Sequence, residues 1–294
     1  MFVALALASA LFYGAADFLG GMTARRASTL AIVVVSQCAG LLALLIVLPA
    51  LPKATPVQGD FLWGAMAGLT GGIGVALLYR ALAVGVMAVV APTTAVCAVA
   101  IPVLVALLLG ERLGPVTAAG IGLAIVAIVL VSQAETSDRS DRSDRSDRSD
   151  RSDRSDRSNR SGVGLALLSG VAIGLFFLAL ARTGPDAGLW PLVAARIVSV
   201  GLFAIMVVAG SRSLRMPVRI AGTAAAGGVL DMLANLLYLV ASWSGPLSVV
   251  VTLASLYPAS TVLLARLVLR EQLSARQWLG IACALIAVSL IVGG

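Results

Sequence analysis

The sequence predicts an all-α polytopic membrane protein of ten transmembrane helices, arranged as two inverted five-helix repeats. Three observations predict it: a composition too apolar for a water-soluble domain, ten long apolar runs between short polar connections, and a likeness between the two halves. Of 294 residues, 60% are hydrophobic and 12% charged, with a mean hydropathy of +1.02. Soluble domains hold about 45–50% apolar and about 25% charged residues. A buried core cannot absorb that excess, so apolar side chains must face lipid. A soluble enzyme is excluded. Histidine is absent, which removes imidazole bases, Ser-His and Cys-His pairs and histidine-ligated metals. Cys38, Cys97 and Cys283 sit singly inside apolar runs, as small packing residues rather than a disulfide or zinc set. No catalytic residue, metal or cofactor is expected.

A membrane-spanning helix needs about 20 mostly apolar residues. The runs are continuous rather than alternating, which selects helices over a barrel. They fall at 2–21, 30–51, 61–80, 86–109, 115–132, 162–182, 189–210, 220–242, 246–269 and 274–292. In the first, Ala8-Ser9-Ala10 resembles a signal cleavage box. With no basic segment ahead of it and apolar residues through Phe18, a retained helix is expected. Connections rich in Pro, Gly, Lys or Arg separate runs at 23–28, 52–60, 111–114, 183–188 and 211–219. Pro92, Pro102 and Pro258 are expected to interrupt the fourth and ninth runs. Between the fifth and sixth, Asp-Arg-Ser repeats seven times from Asp138 to Ser158. With no apolar residue to bury, residues 134–161 read as a solvated, disordered linker. The domains are therefore 1–133 and 162–294.

The formal charge of +7 does not come from that linker, whose eight acidic and eight basic residues cancel. It comes from short connections, with no aromatic-interleaved basic face, so nucleic acid is not an expected partner. Arg25, Arg26, Arg80, Arg212, Arg215, Arg219, Arg270 and Arg276 gather on one side, against Lys53, Arg112 and Arg182 on the other. The excess puts the first set in the cytoplasm and the N-terminus outside.

A shift of 160 positions aligns Gly85 with Gly245, Glu111 with Glu271, Gly120-Ile121 with Gly280-Ile281, Ser9 with Ser169 and Gly14 with Gly174. A shift of 159 places Leu77-Leu78-Tyr79 on Leu236-Leu237-Tyr238. Five helices is an odd number, so a second copy enters from the opposite side. Such repeats enclose a midplane site in many secondary transporters.

The stretches Leu78-Tyr79-Arg80-Ala81-Leu82, Val89-Val90-Ala91-Pro92 and Leu107-Leu108-Leu109-Gly110-Glu111-Arg112-Leu113 resemble the EamA-type carriers of the drug/metabolite transporter superfamily. Tyr257-Pro258 followed by Leu269-Arg270-Glu271-Gln272-Leu273 resembles the signature again. The opening Tyr13-Gly14-Ala15-Ala16-Asp17-Phe18-Leu19-Gly20-Gly21 is similar to a first helix of bacterial members. The first repeat departs from the pattern, with Ala98 where Pro258 lies in the second. The resemblance implies ten helices in two repeats, a cell-membrane location and transport of small metabolites, often export. It also implies cytoplasmic termini, against the basic-residue count.

A charge at mid-membrane costs about 2.5–3.5 kcal/mol, so each needs a partner or a purpose. Asp231 lies mid-helix in the eighth run, with Asn235 one turn on and Tyr238 about two turns on. Their aligned positions are Gly72, Ala76 and Tyr79. Arg196, in the seventh run, falls at a similar depth. Three readings stand: a structural Arg196–Asp231 bridge, a clamp for a zwitterionic substrate, or a proton-coupling Asp231. Asp17 is a gate or coupling acid, or an interfacial residue beside Arg25 and Arg26. Gln37 is a substrate hydrogen-bond donor or a bridge between helices. Glu111 and Glu271 read as structural, and Arg266 as snorkelling. The function expected is a secondary active transporter of a small polar or amphipathic metabolite, such as an amino acid or drug-like compound. Its partners are the substrate and the lipid bilayer, with proton coupling as an option, in a monomer or homodimer. The alternative is a non-transporting membrane scaffold or a channel.

Overall fold

In a computed structural model the structure describes residues 1–24, 26–50, 53–84, 87–132, 148–210, 214–269 and 274–293. Glu271, Arg25 and Arg270 therefore lie outside the described residues. Eleven α-helices follow one another and no strand occurs among the described residues. They are α1 (Phe2–Ala24), α2 (Thr29–Val47), α3 (Gln58–Val84), α4 (Met87–Leu108), α5 (Pro115–Ser132), α6 (Arg148–Leu180), α7 (Trp190–Ala209), α8 (Val218–Ser242), α9 (Leu247–Ala254), α10 (Tyr257–Leu269) and α11 (Ala275–Gly293). Eight stretches are long and apolar enough to cross a membrane, α9 and α10 together making one of them. Two shorter apolar helices, Thr93–Leu108 and Pro115–Leu130, lie in the fourth and fifth runs. Large apolar side chains such as Leu42, Ile46, Ile205, Val208 and Leu285 point outward, a surface suited to hydrocarbon and costly in water.

Side-chain capping fixes two helix starts. The Asp60 carboxylate accepts from the Val57 amide (2.9 Å) at the head of α3. At α11, Ser274 and Gln277 form a reciprocal capping box, at 3.0 and 3.3 Å. α6 begins at Arg148, inside the stretch expected to be linker; Asp and Arg spaced four apart there are compatible with helix.

The expected interruptions differ from those seen. α4 runs on through Pro92 and Pro102, whereas the ninth run breaks at Ser255–Leu256. Pro258 has no N–H, so the Ala254 carbonyl loses its partner four residues on, while Ala98 at the matching place in α4 keeps its amide. At the break, the Ser255 amide bonds Val251 O (3.0 Å) and the Leu256 amide bonds Leu253 O (3.2 Å).

The interior is built of small residues. Ala6, Ala31, Ala67, Ala95, Ala98 and Ala234 are wholly buried, which lets helix backbones approach, the usual basis of packing in lipid. α1 packs on α8, α9 and α10; α2 on α7 and α8; α3 on α6 and α7; α4 on α6 and α9; α5 on α11. Two buried hydroxyls tie these crossings to backbone: Ser9 Oγ donates to Ala234 O and Ser169 Oγ to Gly74 O, both at 2.8 Å. The two bonds are related by the 160-residue shift with the halves exchanged. Gly68 and Gly228, also 160 apart, lie against Ala195 and Ser36, which are 159 apart, each glycine with no room for a Cβ.

Contacts at the helix ends fix sidedness within the bundle. Phe2 lies against Gly245, Glu111 accepts from the Ser248 amide (3.3 Å) and hydroxyl, and the Thr55 amide bonds Asp186 O (2.8 Å). Ser36 lies against Gly228 and Gly40 against Met232, so α2 runs parallel to α8, and the chain start and the connections after α2, α4, α6 and α8 share one end.

Gly228→Val is expected to destabilise the purified protein by about 1–3 kcal/mol through overpacking. Gly222→Ala, on the same helix with open space around it, leaves the melting temperature nearly unchanged. Thermal unfolding in detergent checks both.

Candidate functional site

The helical repeat brings distant residue pairs onto common faces, and five helices turn polar faces inward at one level. α7 supplies Arg196 and Ser199, three apart; α8 supplies Asp231 and Asn235, four apart; α1 supplies Tyr13 and Asp17, four apart; α2 adds Gln37 and α10 adds Tyr257. All of these line one cavity of about 710 Å³, its open mouth included. α3 closes it with Ala67, Gly68, Gly71, Gly72 and Val75, and α6 with Ile173, Phe176 and Phe177. A Cβ on Gly71 would stand 2.7 Å from the Phe176 ring, so the glycine lets that ring lie against α3.

A continuous chain of hydrogen bonds crosses this cavity. Arg196 forms an ion pair with Asp231, through Nη2 and Oδ2. Its Nη1 donates to Gln37 Oε1, and its Nε lies 3.3 Å from Met232 Sδ. Ser199 Oγ donates to the same Gln37 oxygen at 3.0 Å. On the other side, Asn235 Nδ2 donates to Asp231 Oδ2 (3.1 Å) and to the Asp231 carbonyl (2.8 Å). Tyr13 OH then donates to Asn235 Oδ1 at 2.6 Å. The Arg196 side chain is 6% exposed and that of Asp231 24%. The cation is thus sunk in protein while the carboxylate reaches the cavity. Breaking such a pair is costly because the survivor is a buried, unmatched charge.

Five of the seven residues singled out from the sequence come together here: Asp231, Asn235, Arg196, Asp17 and Gln37. Two stand apart. Tyr238 is wholly buried, donates to the Phe177 carbonyl (2.9 Å) and packs on the Phe177 ring, with centroids 4.6 Å apart. Tyr79 is buried against Gly20, behind Asp17, and does not itself line the cavity. Asp17 lies in the cavity wall rather than among the basic residues at the helix end. Among the described residues, no hydrogen-bond or ion-pair partner meets its carboxylate. Glu111 holds the start of α9 through Ser248, and exposed Arg266 lies over the Trp278 ring at 5.5 Å. No metal-holding group of three acidic or cysteine residues occurs among the described residues, and the three cysteines are free.

The sequence reading left out Tyr13, Ser199, Tyr257, Phe176 and Phe177 from the site. Tyr13 and Ser199 were signalled by helical spacing, one turn from Asp17 and Arg196. The phenylalanines carried no such signal, since nothing in an apolar run marks which ring faces a cavity.

The model of the EamA-like transporter family matches residues 1–133 and again 160–293. No curated protein matches the chain in sequence. One solved structure, described only as a protein crystal structure, superposes with a TM-score of 0.75 over 98% of this chain and 95% of its own, at 14% identity. At that identity the likeness speaks to the fold alone.

Arg196→Ala or Asp231→Ala alone is expected to destabilise the protein by about 3–5 kcal/mol, and the double replacement by less than the sum. Thermal unfolding of the purified single and double variants measures the coupling.

Proposed function

Because the chain belongs to the EamA-like transporter family, a multi-pass membrane protein family of the drug/metabolite transporter superfamily, we propose that it is a secondary carrier. It moves a small polar or amphipathic metabolite by alternating access. The observation behind this reading is the polar chain from Ser199 through Gln37, Arg196, Asp231 and Asn235 to Tyr13, lining a cavity inside an apolar bundle. Anchoring or packing alone does not call for so many polar groups at one depth. A wall shared among α1, α2, α3, α6, α7, α8 and α10 is also what rocking of one half against the other would open and close.

The ten-span, two-repeat architecture belongs to the same reading, with repeats at 1–133 and 162–294 and the segment 134–161 between them. In its favour, exchanging the halves maps the packing of α1 on α8 onto that of α6 on α3, and α2 on α8 onto α7 on α3. It also maps the Ser9–Ala234 bond onto the Ser169–Gly74 bond. The clustering of the chain start with the connections after α2, α4, α6 and α8 supports an inverted relation, in which α6 begins at the opposite end from α1. The roles follow from position. Arg196, Asp231 and Gln37 form a fixed polar floor. Asn235 and the second oxygen of Asp231 face substrate, and Asp17 takes the coupling proton.

Metabolite profiles of cells with and without the protein identify a solute whose level it changes. Proteoliposomes then show saturable counterflow of that solute, which a channel does not give. At equal protein level Asp231→Ala lowers counterflow by about tenfold or more. In the wild type a pH gradient accelerates uptake; whatever exchange Asp17→Asn retains no longer responds to the gradient. Full transport by Asp231→Ala would remove the site reading.

A further inference from the structure

We propose, resting on the carrier reading, that the cavity selects an organic cation: a protonated amine or quaternary ammonium attached to an apolar body, with Asp17 as its counter-ion.

The first argument is charge balance. The charged residues lining the cavity are Arg196, Asp231 and Asp17. Arg196 is already engaged by Asp231 and Gln37, so among the described lining residues no cation is left over to bind an anionic group. Asp17 is left as the uncompensated charge, and the lining carries a formal charge of −1. In a low-dielectric interior such a charge calls for a compensating cation.

The second argument is the wall around it. Tyr13 lies one turn from Asp17 on α1, and its ring stands 6.3 Å from that of Tyr257 and 5.9 Å from that of Phe177. Phe176 adjoins Phe177 at 5.4 Å. All four rings line the same cavity as Asp17. Aromatic rings sharing a cavity with a carboxylate are the chemistry that recognises ammonium ions, through cation–π attraction and one ion pair. Val75, Leu78, Ile173 and Leu192 supply an apolar side for the rest of the molecule.

A zwitterion fits this arrangement less well, because its carboxylate would have to displace Asp231 from Arg196. An empty cavity meets the same charge with a proton, so cation and proton compete for Asp17. The groups facing it from packed elements are Asp231 on α8, Tyr257 on α10, Tyr79 on α3 and Tyr13 on its own helix, with Arg196 beyond Asp231.

The test measures equilibrium binding of three probes of one shape to the full-length protein in detergent: labelled phenethylammonium, neutral phenylethanol and anionic phenylpropionate. The wild type is expected to prefer the cation over the alcohol by about tenfold or more. Asp17→Asn should abolish that preference while still binding the alcohol, which shows that the variant is folded. Tyr257→Leu should weaken the cation more than the alcohol. Equal binding of cation and alcohol, preference for the anion, no binding of any probe, or an undiminished preference in Asp17→Asn each overturns the proposal. Counterflow in proteoliposomes separates the two readings. Cation binding without exchange across the bilayer defeats the carrier and leaves the cation site. Exchange of the anion instead defeats the cation site and leaves the carrier.

Discussion

A guanidinium and a carboxylate placed inside apolar helices must meet, because neither tolerates hydrocarbon alone. Arg196 and Asp231 meet across α7 and α8, and Gln37 from α2 completes the coordination of the cation. That requirement sets the rotation of three helices about their axes. With those rotations set, Ser199 and Asn235 follow onto the same level, because they lie one helical turn from their charged neighbours. The pair's strength matters less than the penalty for separating it.

Helices held this way still have to come close, and side-chain size decides whether they can. Gly68 and Gly228 let α3 and α8 touch the backbones of α7 and α2, and buried alanines do the same elsewhere. Lipid offers no hydrophobic drive between helices, so close backbone approach and hydroxyl-to-carbonyl bonds such as Ser9–Ala234 hold the bundle together. The same small residues account for the cavity. Phe176 lies against Gly71 of α3, and space remains between that wall and the polar chain.

The two halves share a plan yet differ where function is expected. Asp231 and Asn235 of the second half match Gly72 and Ala76 of the first, so α8 lines the cavity with a carboxylate and an amide where α3 lines it with glycine. Pro258 breaks the ninth span next to Tyr257, while Ala98 leaves α4 continuous. The second half therefore brings the Arg196–Asp231 ion pair, the broken helix and the Tyr257 ring to one region. The first half brings Tyr13, Asp17 and the glycine surface.

Composition and apolar run length alone determined that this chain is a bundle of long apolar helices, since hydrocarbon thickness and internal backbone bonding leave no other form for such runs. The depth of Arg196 and Asp231, and the face shared by Asp231 and Asn235, were readable because helical rise and pitch are fixed numbers. Rotation about each helix axis was not readable, as low contrast between apolar residues leaves every face nearly equivalent. That is why Tyr238, on the expected face, turned into the Phe177 backbone, and why Phe176, Phe177 and Tyr257 came to the cavity unannounced. Asp17 shows the same division. Its position near a helix end was plain in the sequence. Only packing of α1 against α8 and α10 turned it into the cavity wall, where among the described residues no partner meets it.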